Sequence, residues 1–462
     1  MKTVPSILAA LLPLALGGCA LAPPASTVDA PLPAQWQVPL PHQGSLTELS
    51  GWWRAQGDPL LVQLIDAAEA VSPTLSAAQS RIAQSRAERA AARSALAPTL
   101  DLAASVNRAS QQSVLPMGTT SQAALQASWE IDLFGGRRAD RNAAQARLAG
   151  AEAGWHEARV SVAAEVANQY YALRACEQLL AVAQQDAASR ADTARLTQLS
   201  TEAGFQSPAN AALARASAAD GNGRATQQRA LCDIDVKALV ALTALSEPAL
   251  RAKLAASAPV PAPAIAIGSL PAQLLAQRPD VFNAEREVAA ASFDVGSAQA
   301  QRYPRLTLQG EVGSANFRGG GDSISGGTWT IGPLALSLPL FDAGRRSANV
   351  DAARARYDNA VTAYRASARQ AVREVEEALV NLQSTAARSS DAQVAMEGYR
   401  IAFVASEDRY KQGLGSLLEL EDARRTRLAA ENAVVTLQRE RNAAWIALYR
   451  AAGGGWTGPV AN

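Results

Sequence analysis

Histidine is almost absent from this 462-residue chain, which contains only His42 and His156. Among side chains, histidine is the commonest metal ligand and the commonest acid–base catalyst. A zinc site or a histidine-based catalytic triad therefore has almost no residues from which to be built. We expect no metal site, no cofactor and no catalytic residues, so we do not expect an enzyme.

A nucleotide-binding loop is missing as well. Gly221-Asn222-Gly223 resembles the start of a dinucleotide-binding fingerprint, but the third glycine and the preceding strand are absent. These residues lie inside a helical pattern, where each glycine costs about 1 kcal/mol relative to alanine, so we interpret them as a flexible point in a helix. Because the sequence has no phosphate-binding loop, any energy for its work must come from a partner.

Net charge, aromatic residues and long apolar runs are also scarce. The 43 Lys and Arg against 42 Asp and Glu give a net charge of +1, which does not favour a nucleic-acid partner. Aromatic residues make up only 5% of the chain, and the helical segments are rich in alanine, so we expect closely packed helices rather than a thick globular interior. Beyond the N-terminal segment no uninterrupted apolar run reaches about 18 residues. If the chain crosses a membrane, it must do so as strands.

Residues 1–18 read as a secretory signal, with Lys2 followed by an apolar stretch and then small residues. The stretch ends in Leu16-Gly17-Gly18-Cys19, which resembles the bacterial lipobox, in which the cysteine is acylated and becomes the mature N-terminus. An ordinary signal peptide with a chance cysteine is the alternative. Each buried CH₂ of an acyl chain would contribute about 0.8 kcal/mol to anchoring, and Ala20 in place of Asp favours the outer membrane by family analogy. Residues 19–50 are rich in proline and small residues and predict an extended tether.

One long pattern occurs twice in the chain. Pro73 and Pro98 enclose a helical stretch, and Pro279 and Pro304 enclose another at the same spacing. A duplication this long indicates one supersecondary unit used twice. The predicted parts are a first repeat over residues 51–254, a linker over residues 255–268 and a second repeat over residues 269–462.

Each repeat contains one strand-like hairpin, at about residues 98–132 and about residues 304–340. Apolar and polar residues alternate along each arm, and each arm has roughly 10–12 residues, the length that a tilted strand needs to cross a bilayer. Such alternation is typical of transmembrane barrels, while a soluble sheet with one wet face is the alternative. The alternation slips at Gly332-Pro333, which predicts a bulge or bend.

Four strands cannot close a transmembrane barrel, because the smallest barrels have about eight. Open sheet edges are not tolerated in lipid. Several chains must therefore each donate four strands to one barrel, and this argument leaves the number of chains open.

Very long helices follow the two hairpins. Residues 345–412 contain one glycine and no proline, and a helix of that length would span on the order of 100 Å. Its apolar residues recur with alternating steps of four and three, which predicts left-handed coiled-coil packing. Residues 137–203 are the equivalent stretch in the first repeat. Each stretch ends at a glycine-containing turn, Gly204 or Gly413, from which a second helix returns, so we predict two helical hairpins.

The first helical hairpin carries Cys176 and Cys232 on opposite arms, at almost the same distance from its turn. In antiparallel helices the two residues would lie at nearly the same height. A disulfide is plausible in an oxidising periplasm, and two buried thiols are the alternative.

Several short motifs, taken together and in order, resemble the TolC-like outer-membrane factors of tripartite efflux pumps, specifically their lipoprotein (NodT-type) branch. The matching motifs are Leu16-Gly17-Gly18-Cys19, Gly51-Trp52-Trp53, Asp58-Pro59-Leu60, Arg278-Pro279-Asp280-Val281, Leu340-Phe341-Asp342-Ala343-Gly344, Gly413 with Ser416, and Gly453-Gly454-Gly455-Trp456. The resemblance covers essentially the whole mature chain. It implies a mixed α and β membrane protein, in which a homotrimer builds a 12-stranded barrel in outer-membrane lipid, continuous with a long α-helical coiled-coil barrel in the periplasm.

In such proteins the periplasmic tip closes like an iris through polar contacts between the inner helices of neighbouring protomers. Carried over by position, the aperture candidates are Arg409, Tyr410, Leu418 and Asp422. The nearby acids Glu419 and Glu421 are also consistent with solvated helix-face residues, and Ser200-Thr201 occupy the corresponding place in the first repeat. The resemblance further implies a periplasmic adaptor, and an inner-membrane pump behind it. The adaptor-contacting tips would be Gly204, Ser207, Gly413 and Ser416.

These features predict the outer-membrane exit channel of an efflux pump, which conducts drugs or small solutes passively and is gated at the periplasmic helical tip. An outer-membrane port for protein secretion would share this architecture, and the lipobox favours efflux. A periplasmic coiled-coil scaffold without a pore is a third hypothesis, which predicts that the alternating segments carry no lipid-facing band.

Overall fold

The computed structural model describes residues 22–31, 52–55, 57–111, 115–257 and 278–456. Several predicted features lie outside the described residues: the signal at residues 1–18, Cys19, His42, most of the 19–50 tether and most of the 255–268 linker.

Helices and one group of strands account for most of the described chain. Its first part contains α1 (Trp52–Ala55), α2 (Pro59–Val71), α3 (Pro73–Ser94), β1 (Thr99–Gln111), β2 (Leu115–Ile131), α4 (Gly136–Glu202), α5 (Pro208–Thr243) and α6 (Glu247–Ala256). Its second part contains α7 (Pro279–Ala300), β3 (Arg305–Gly319), β4 (Asp322–Ser337), α8 (Arg345–Lys411), α9 (Leu417–Ala451) and a 3₁₀ turn at Gly453–Gly455. The two long helices that the sequence predicts, α4 and α8, each have 67 residues. None of the helices within the described ranges is both long enough and apolar enough to span a membrane.

The chain divides into two compact units. The first comprises the described residues within 1–30, 79–153 and 282–367, and the second comprises those within 31–78, 154–281 and 368–462.

The first unit contains a four-stranded sheet with the order β1-β2-β3-β4, in which every neighbouring pair is antiparallel. The pairing of β2 with β3 joins the two predicted hairpins into one sheet. The paired residues are far apart in the sequence, since Ile131 pairs with Leu306, 175 positions further along the chain. This long-range pairing was not part of the sequence prediction, which treated the hairpins separately.

The predicted irregularity at Gly332-Pro333 is confirmed. The β3–β4 register shifts between Leu308 and Gly310, which pair with Leu334 and Ile331 on either side of the irregularity. Gly332 has a φ of +113°, and the Gly332-Pro333 peptide bond is cis. Proline has no N–H to donate to the neighbouring strand, so the hydrogen-bond ladder between β3 and β4 is interrupted at Pro333.

The second unit has an apolar core that joins α2 to parts of the long helices. Its fully buried side chains include Leu61, Leu64, Tyr170, Leu239 and Ile446. Asp58 caps the start of α2, since its Oδ1 accepts hydrogen bonds from the backbone N–H groups of Leu60 (3.0 Å) and Leu61 (3.1 Å). The core therefore rests on a helix whose start is fixed by a buried carboxylate.

Candidate functional site

The two helical hairpins turn in the same way. The glycines of the turns, Gly204 and Gly413, have φ values of +80° and +75°, which glycine adopts without steric cost. At the first turn, the N–H of Phe205 donates to the carbonyl of Ser200 (2.8 Å), and at the second the N–H of Leu414 donates to the carbonyl of Arg409 (2.8 Å). These are the bonds of a Schellman motif, which satisfies the last carbonyls of a helix.

A serine begins the returning helix at each turn. The side chain of Ser207 accepts from the N–H of Asn210, and that of Ser416 accepts from the N–H of Glu419. Glu419 completes a capping box, because its carboxylate accepts from the N–H of Ser416 (3.4 Å). The predicted tip residues thus hold the geometry of the turns, and Glu419 has a capping role.

The four aperture candidates lie in and beside the second turn. Tyr410 reaches across to α4, where its hydroxyl lies 2.6 Å from Thr197 Oγ1. Arg409 donates to the carbonyl of Leu414 (3.3 Å) within the turn itself. Leu418 is 73% exposed. Asp422 is also exposed and accepts a hydrogen bond from Arg425 (2.6 Å) on the same helix. Three of the candidates therefore present their side chains at the surface of the chain, and Tyr410 joins two hairpin arms.

A group of buried charges lies just behind the tips, and we call it the buried ionic cluster. Its members, which come from α4 and α9, are Asp186, Arg190, Glu421, Arg424 and Arg427. Arg190 donates to Asp186 on its own helix (2.8 Å) and to Glu421 on α9 (2.6 Å). Glu421 also accepts from Arg424. One carboxylate thus bridges arginines of two helices.

The structure contradicts one of the alternatives for Glu421, that of a solvated helix-face residue. Its side chain is only 19% exposed because it pairs with both Arg190 and Arg424. A charge on a helix is usually solvated, but here two guanidinium groups replace the water.

Arg424 is the most enclosed member of the cluster, with a side chain that is 0% exposed. Its guanidinium also donates to Thr193 Oγ1 (2.9 Å) and Ser189 Oγ (3.1 Å), and lies 5.6 Å from the ring of Phe403 on α8. Burial lowers the pKa of Arg424, and the neighbouring Glu421 opposes that shift. An arginine remains protonated even so, so a full positive charge sits inside the hairpins.

Hydrogen bonding in the cluster is incomplete. Among the described residues, no hydrogen-bond partner reaches Asp186 Oδ1, Arg424 Nε or Arg427 Nε. The charges nevertheless lie close together, with Arg424 Nε 3.9 Å and Arg427 Nη2 4.0 Å from Asp186 Oδ1. The cluster is therefore held by charge attraction as well as by directed bonds.

The cluster occupies the positions where a coiled coil normally places apolar side chains. In α9 the buried residues step by three, four and three positions: Leu417, Leu420, Arg424 and Arg427. In α4 they step by four, three and four positions: Asp186, Arg190, Thr193 and Thr197. We call the line of these buried positions between the helices the seam. The seam is therefore polar near the tips. The same spacing is visible in the sequence, where it was used only for the apolar residues of α8.

Gly221 provides the space that Arg190 needs. A Cβ added to Gly221 would lie 2.7 Å from Arg190 Cδ and 3.4 Å from the Cα of Ala187. The helix α5 is continuous through this residue. The interpretation of Gly221-Asn222-Gly223 as a flexible point is therefore replaced, at Gly221, by close packing.

Cys176 and Cys232 join α4 to α5 as a disulfide in the structure. Their Cα atoms are 5.5 Å apart, and both residues are buried. The separation lies in the usual range for bonded cysteines.

Residues of two of the sequence motifs make tertiary contacts in the second unit. Trp52 stacks on Tyr449, with ring centroids 4.7 Å apart, and Trp53 meets the same ring edge-on. Arg278 pairs with Asp280 (2.6 Å) and with Glu374 (2.8 Å). These contacts attach residues that are distant in the sequence to the C-terminal end of α9 and to the middle of α8.

His156 of α4 lies between two tryptophans, with ring centroids 4.9 Å from that of Trp155 and 6.2 Å from that of Trp456. Burial, and next the charge of Arg159, lower the pKa of His156 below its ordinary value of 6.5. No group of residues that could hold a metal ion occurs in the described ranges.

The sheet of the first unit has one apolar and one polar face. Residues that pair directly across antiparallel strands lie on the same face. One row across all four strands is Leu102, Leu125, Val312 and Trp329, and the adjacent row is Asp101, Gln126, Glu311 and Thr330. All four residues of the apolar row are exposed. This alternation is that of a sheet with an apolar environment on one side and water on the other.

Comparison with known proteins agrees with this architecture. The model of the outer membrane efflux protein family matches residues 64–245 and 270–454. The chain is 30% identical to the solvent efflux pump outer membrane protein SrpC of Pseudomonas putida, over 96% of this chain and 97% of that protein. It is 32% identical to the pyoverdine export outer membrane protein OpmQ of Pseudomonas putida, over 96% of this chain and 97% of that protein.

A solved structure extends the likeness to the fold. The outer-membrane channel OprN superposes with a TM-score of 0.84 at 27% identity, over 95% of this chain and 100% of that chain. The family model covers most of the sequence and the relatives align over almost their whole length. The chain therefore belongs to the outer membrane efflux protein family, and it is an outer-membrane channel component of an efflux pump.

Proposed function

We propose that three copies of this chain form one exit duct, anchored by lipid at Cys19 and gated at the second hairpin tip. Solutes enter from a periplasmic adaptor and an inner-membrane pump and diffuse through a water-filled lumen to the exterior. The names of SrpC and OpmQ specify solvent efflux and pyoverdine export for those proteins. We infer small organic solutes as the substrate class, with the pump selecting among them.

The two-faced sheet is the observation that carries the proposal. An apolar row, Leu102, Leu125, Val312 and Trp329, lies beside a polar row on the opposite face. Strands β1 and β4 each have a neighbour on one side only within the described sheet. Unpaired edges are not stable in lipid, so the edges must pair with other copies, and three copies give the twelve strands of a closed barrel.

A pair of adjacent substitutions tests this arrangement. Val312→Arg places a charge on the apolar face, where lipid burial would cost about 2–4 kcal/mol, while Glu311→Arg places the same charge on the polar face. We expect Val312→Arg to reduce the amount of assembled protein in the outer membrane and Glu311→Arg to leave it nearly unchanged. Native mass spectrometry in detergent should give three chains per particle for the parent. Equal effects of the two substitutions would contradict the assignment of the faces.

The gate is tested by charge at the tip. Asp422 is exposed beside the second turn, where like residues of three copies would approach one another. Asp422→Lys should raise the conductance in planar bilayers by weakening polar contacts at the tip. Glu440→Lys is the matched control, because Glu440 is a comparably exposed acid on the same helix α9, paired with Arg388 away from the turn. Unchanged current for Asp422→Lys would count against its place in the aperture.

A further inference from the structure

The described part of the N-terminal tether, residues 22–31, lies against two helices of the first unit. Val28 packs with Val288 and Ala291 of α7 and with Ala360 of α8. Residues 24, 26, 28 and 30 are half-buried, while 25, 27, 29 and 31 are exposed. Such alternation is that of an extended chain with one side against a surface. The tether is thus seated in a groove between α7 and α8.

Side chains of the groove bind the tether through its backbone. Ser292 donates to the carbonyl of Pro24 (2.5 Å), and Tyr357 donates to the carbonyl of Ala25 (2.8 Å). Gln299 donates to the carbonyl of Ala22 (3.4 Å). Every residue has a backbone carbonyl. These contacts therefore fix the path of the tether backbone but do not select particular tether side chains.

Gly296 leaves room for the chain to pass. A Cβ added at Gly296 would lie 3.6 Å from Pro23 Cβ, so alanine would fit and a large side chain would displace the tether. The groove therefore combines three carbonyl-binding side chains, one apolar contact at Val28 and one open position.

We propose that the α7–α8 groove is a binding surface for an extended peptide, and that its occupant is the chain's own residues 22–31. Its role is to fix the acylated Cys19 near the C-terminal end of α7, just before β3 begins at Arg305. Ala22 is three residues from Cys19, and three residues of chain span at most about 10 Å. The role of the groove as an anchor guide rests on the proposed lipidation of Cys19.

Cysteine labelling in the full-length membrane protein tests the docking. Ser26→Cys places a thiol at a half-buried tether position, and Thr27→Cys places one at the adjacent exposed position. The protein without either substitution gives the background. We expect a maleimide to label the Ser26→Cys protein at least about tenfold more slowly than the Thr27→Cys protein. Equal rates would overturn the proposal.

Removal of one groove contact should expose the same thiol. Adding Tyr357→Phe should speed labelling at Ser26→Cys by about fivefold, the factor that corresponds to one ordinary hydrogen bond. Ser297→Ala, a comparable change on α7, should leave the rate unaltered. Gly296→Trp is a second variant that blocks the groove without removing a contact, and it should also speed labelling. No acceleration by either Tyr357→Phe or Gly296→Trp would refute the docking role.

Mass spectrometry separates this proposal from that of lipidation. The N-terminal tryptic peptide ends at Arg54 and carries any acyl group on Cys19. An unmodified Cys19 with a protected Ser26→Cys thiol would reject lipidation and retain the groove as a peptide-binding surface. An acylated Cys19 with an unprotected thiol would retain lipidation and reject the groove.

Discussion

Arg424→Met should be among the most destabilising single changes at the hairpin tips. Arg424 has a fully buried side chain that pairs with Glu421 and bonds to Thr193 and Ser189. Its removal leaves the carboxylates of the cluster with one cation fewer and little access to water, since the side chain of Asp186 is 2% exposed and that of Glu421 is 19% exposed. Breaking a buried pair by removing one partner costs about 3–5 kcal/mol.

The adjacent residue supplies a matched control. Arg425 is 78% exposed and pairs with Asp422 at 2.6 Å, on the surface of the same helix. Exposed pairs contribute about 0–1 kcal/mol, so Arg425→Met should have little effect on stability. Arginine and methionine have similar helix propensities, so the difference between the two variants reports burial and charge rather than helix formation.

Urea unfolding of the purified protein, followed by tryptophan fluorescence at one protein concentration, measures the difference. We expect Arg424→Met to lower the unfolding free energy by about 3–5 kcal/mol and Arg425→Met to lower it by about 1 kcal/mol or less. Adding Glu421→Gln to Arg424→Met should lower the unfolding free energy further, because the buried Arg190 then loses its carboxylate partner on α9. Equal effects of Arg424→Met and Arg425→Met, or a recovery of stability in the double variant, would refute the reasoning.

Three further outcomes follow from other contacts. Serine at both Cys176 and Cys232 should lower the unfolding free energy by about 4 kcal/mol, since the bond closes a loop of 56 residues, and two free thiols in non-reducing mass mapping of the exported protein would contradict it. Because the pKa of His156 is lowered, its contribution to stability is fully present above pH 6.5 and is lost as the pH falls below 6.5 toward the folded-state pKa. His156→Gln should flatten that part of the pH–stability curve. An unaltered slope would reject the lowered pKa. Tyr410→Phe should cost about 1 kcal/mol and raise the single-channel open probability, whereas a closed-state lifetime equal to that of the parent would argue against a gating contact.

The strands and long helices could be predicted because their signals are local. Alternation along β1 and β3 and steps of three and four along α8 need no knowledge of distant residues. The pairing of β2 with β3 joins residues of the two hairpins and has no local signal. The sequence therefore predicted the elements more completely than their arrangement.

The candidate site was predicted less completely for the same reason. Tyr410 and Asp422 could be placed at the tip by position in the motif. The partners of Glu421 include Arg190, which lies 231 positions away, and only folding brings the two together. A solvated helix face therefore stayed open as an alternative for Glu421, because the partner that neutralises it could not be identified from periodicity.

The charged seam also restricts how the long helices can align. Two helices lined only by alanine and leucine could slide past each other by seven residues and recover most of their contacts. Here such a slip would move Glu421 and Arg424 on α9 away from Arg190 and Asp186 on α4. The resulting unpaired buried charges make the misaligned pairings costly. The position of each turn relative to its neighbour is therefore set by a few charged side chains rather than by the length of the helices.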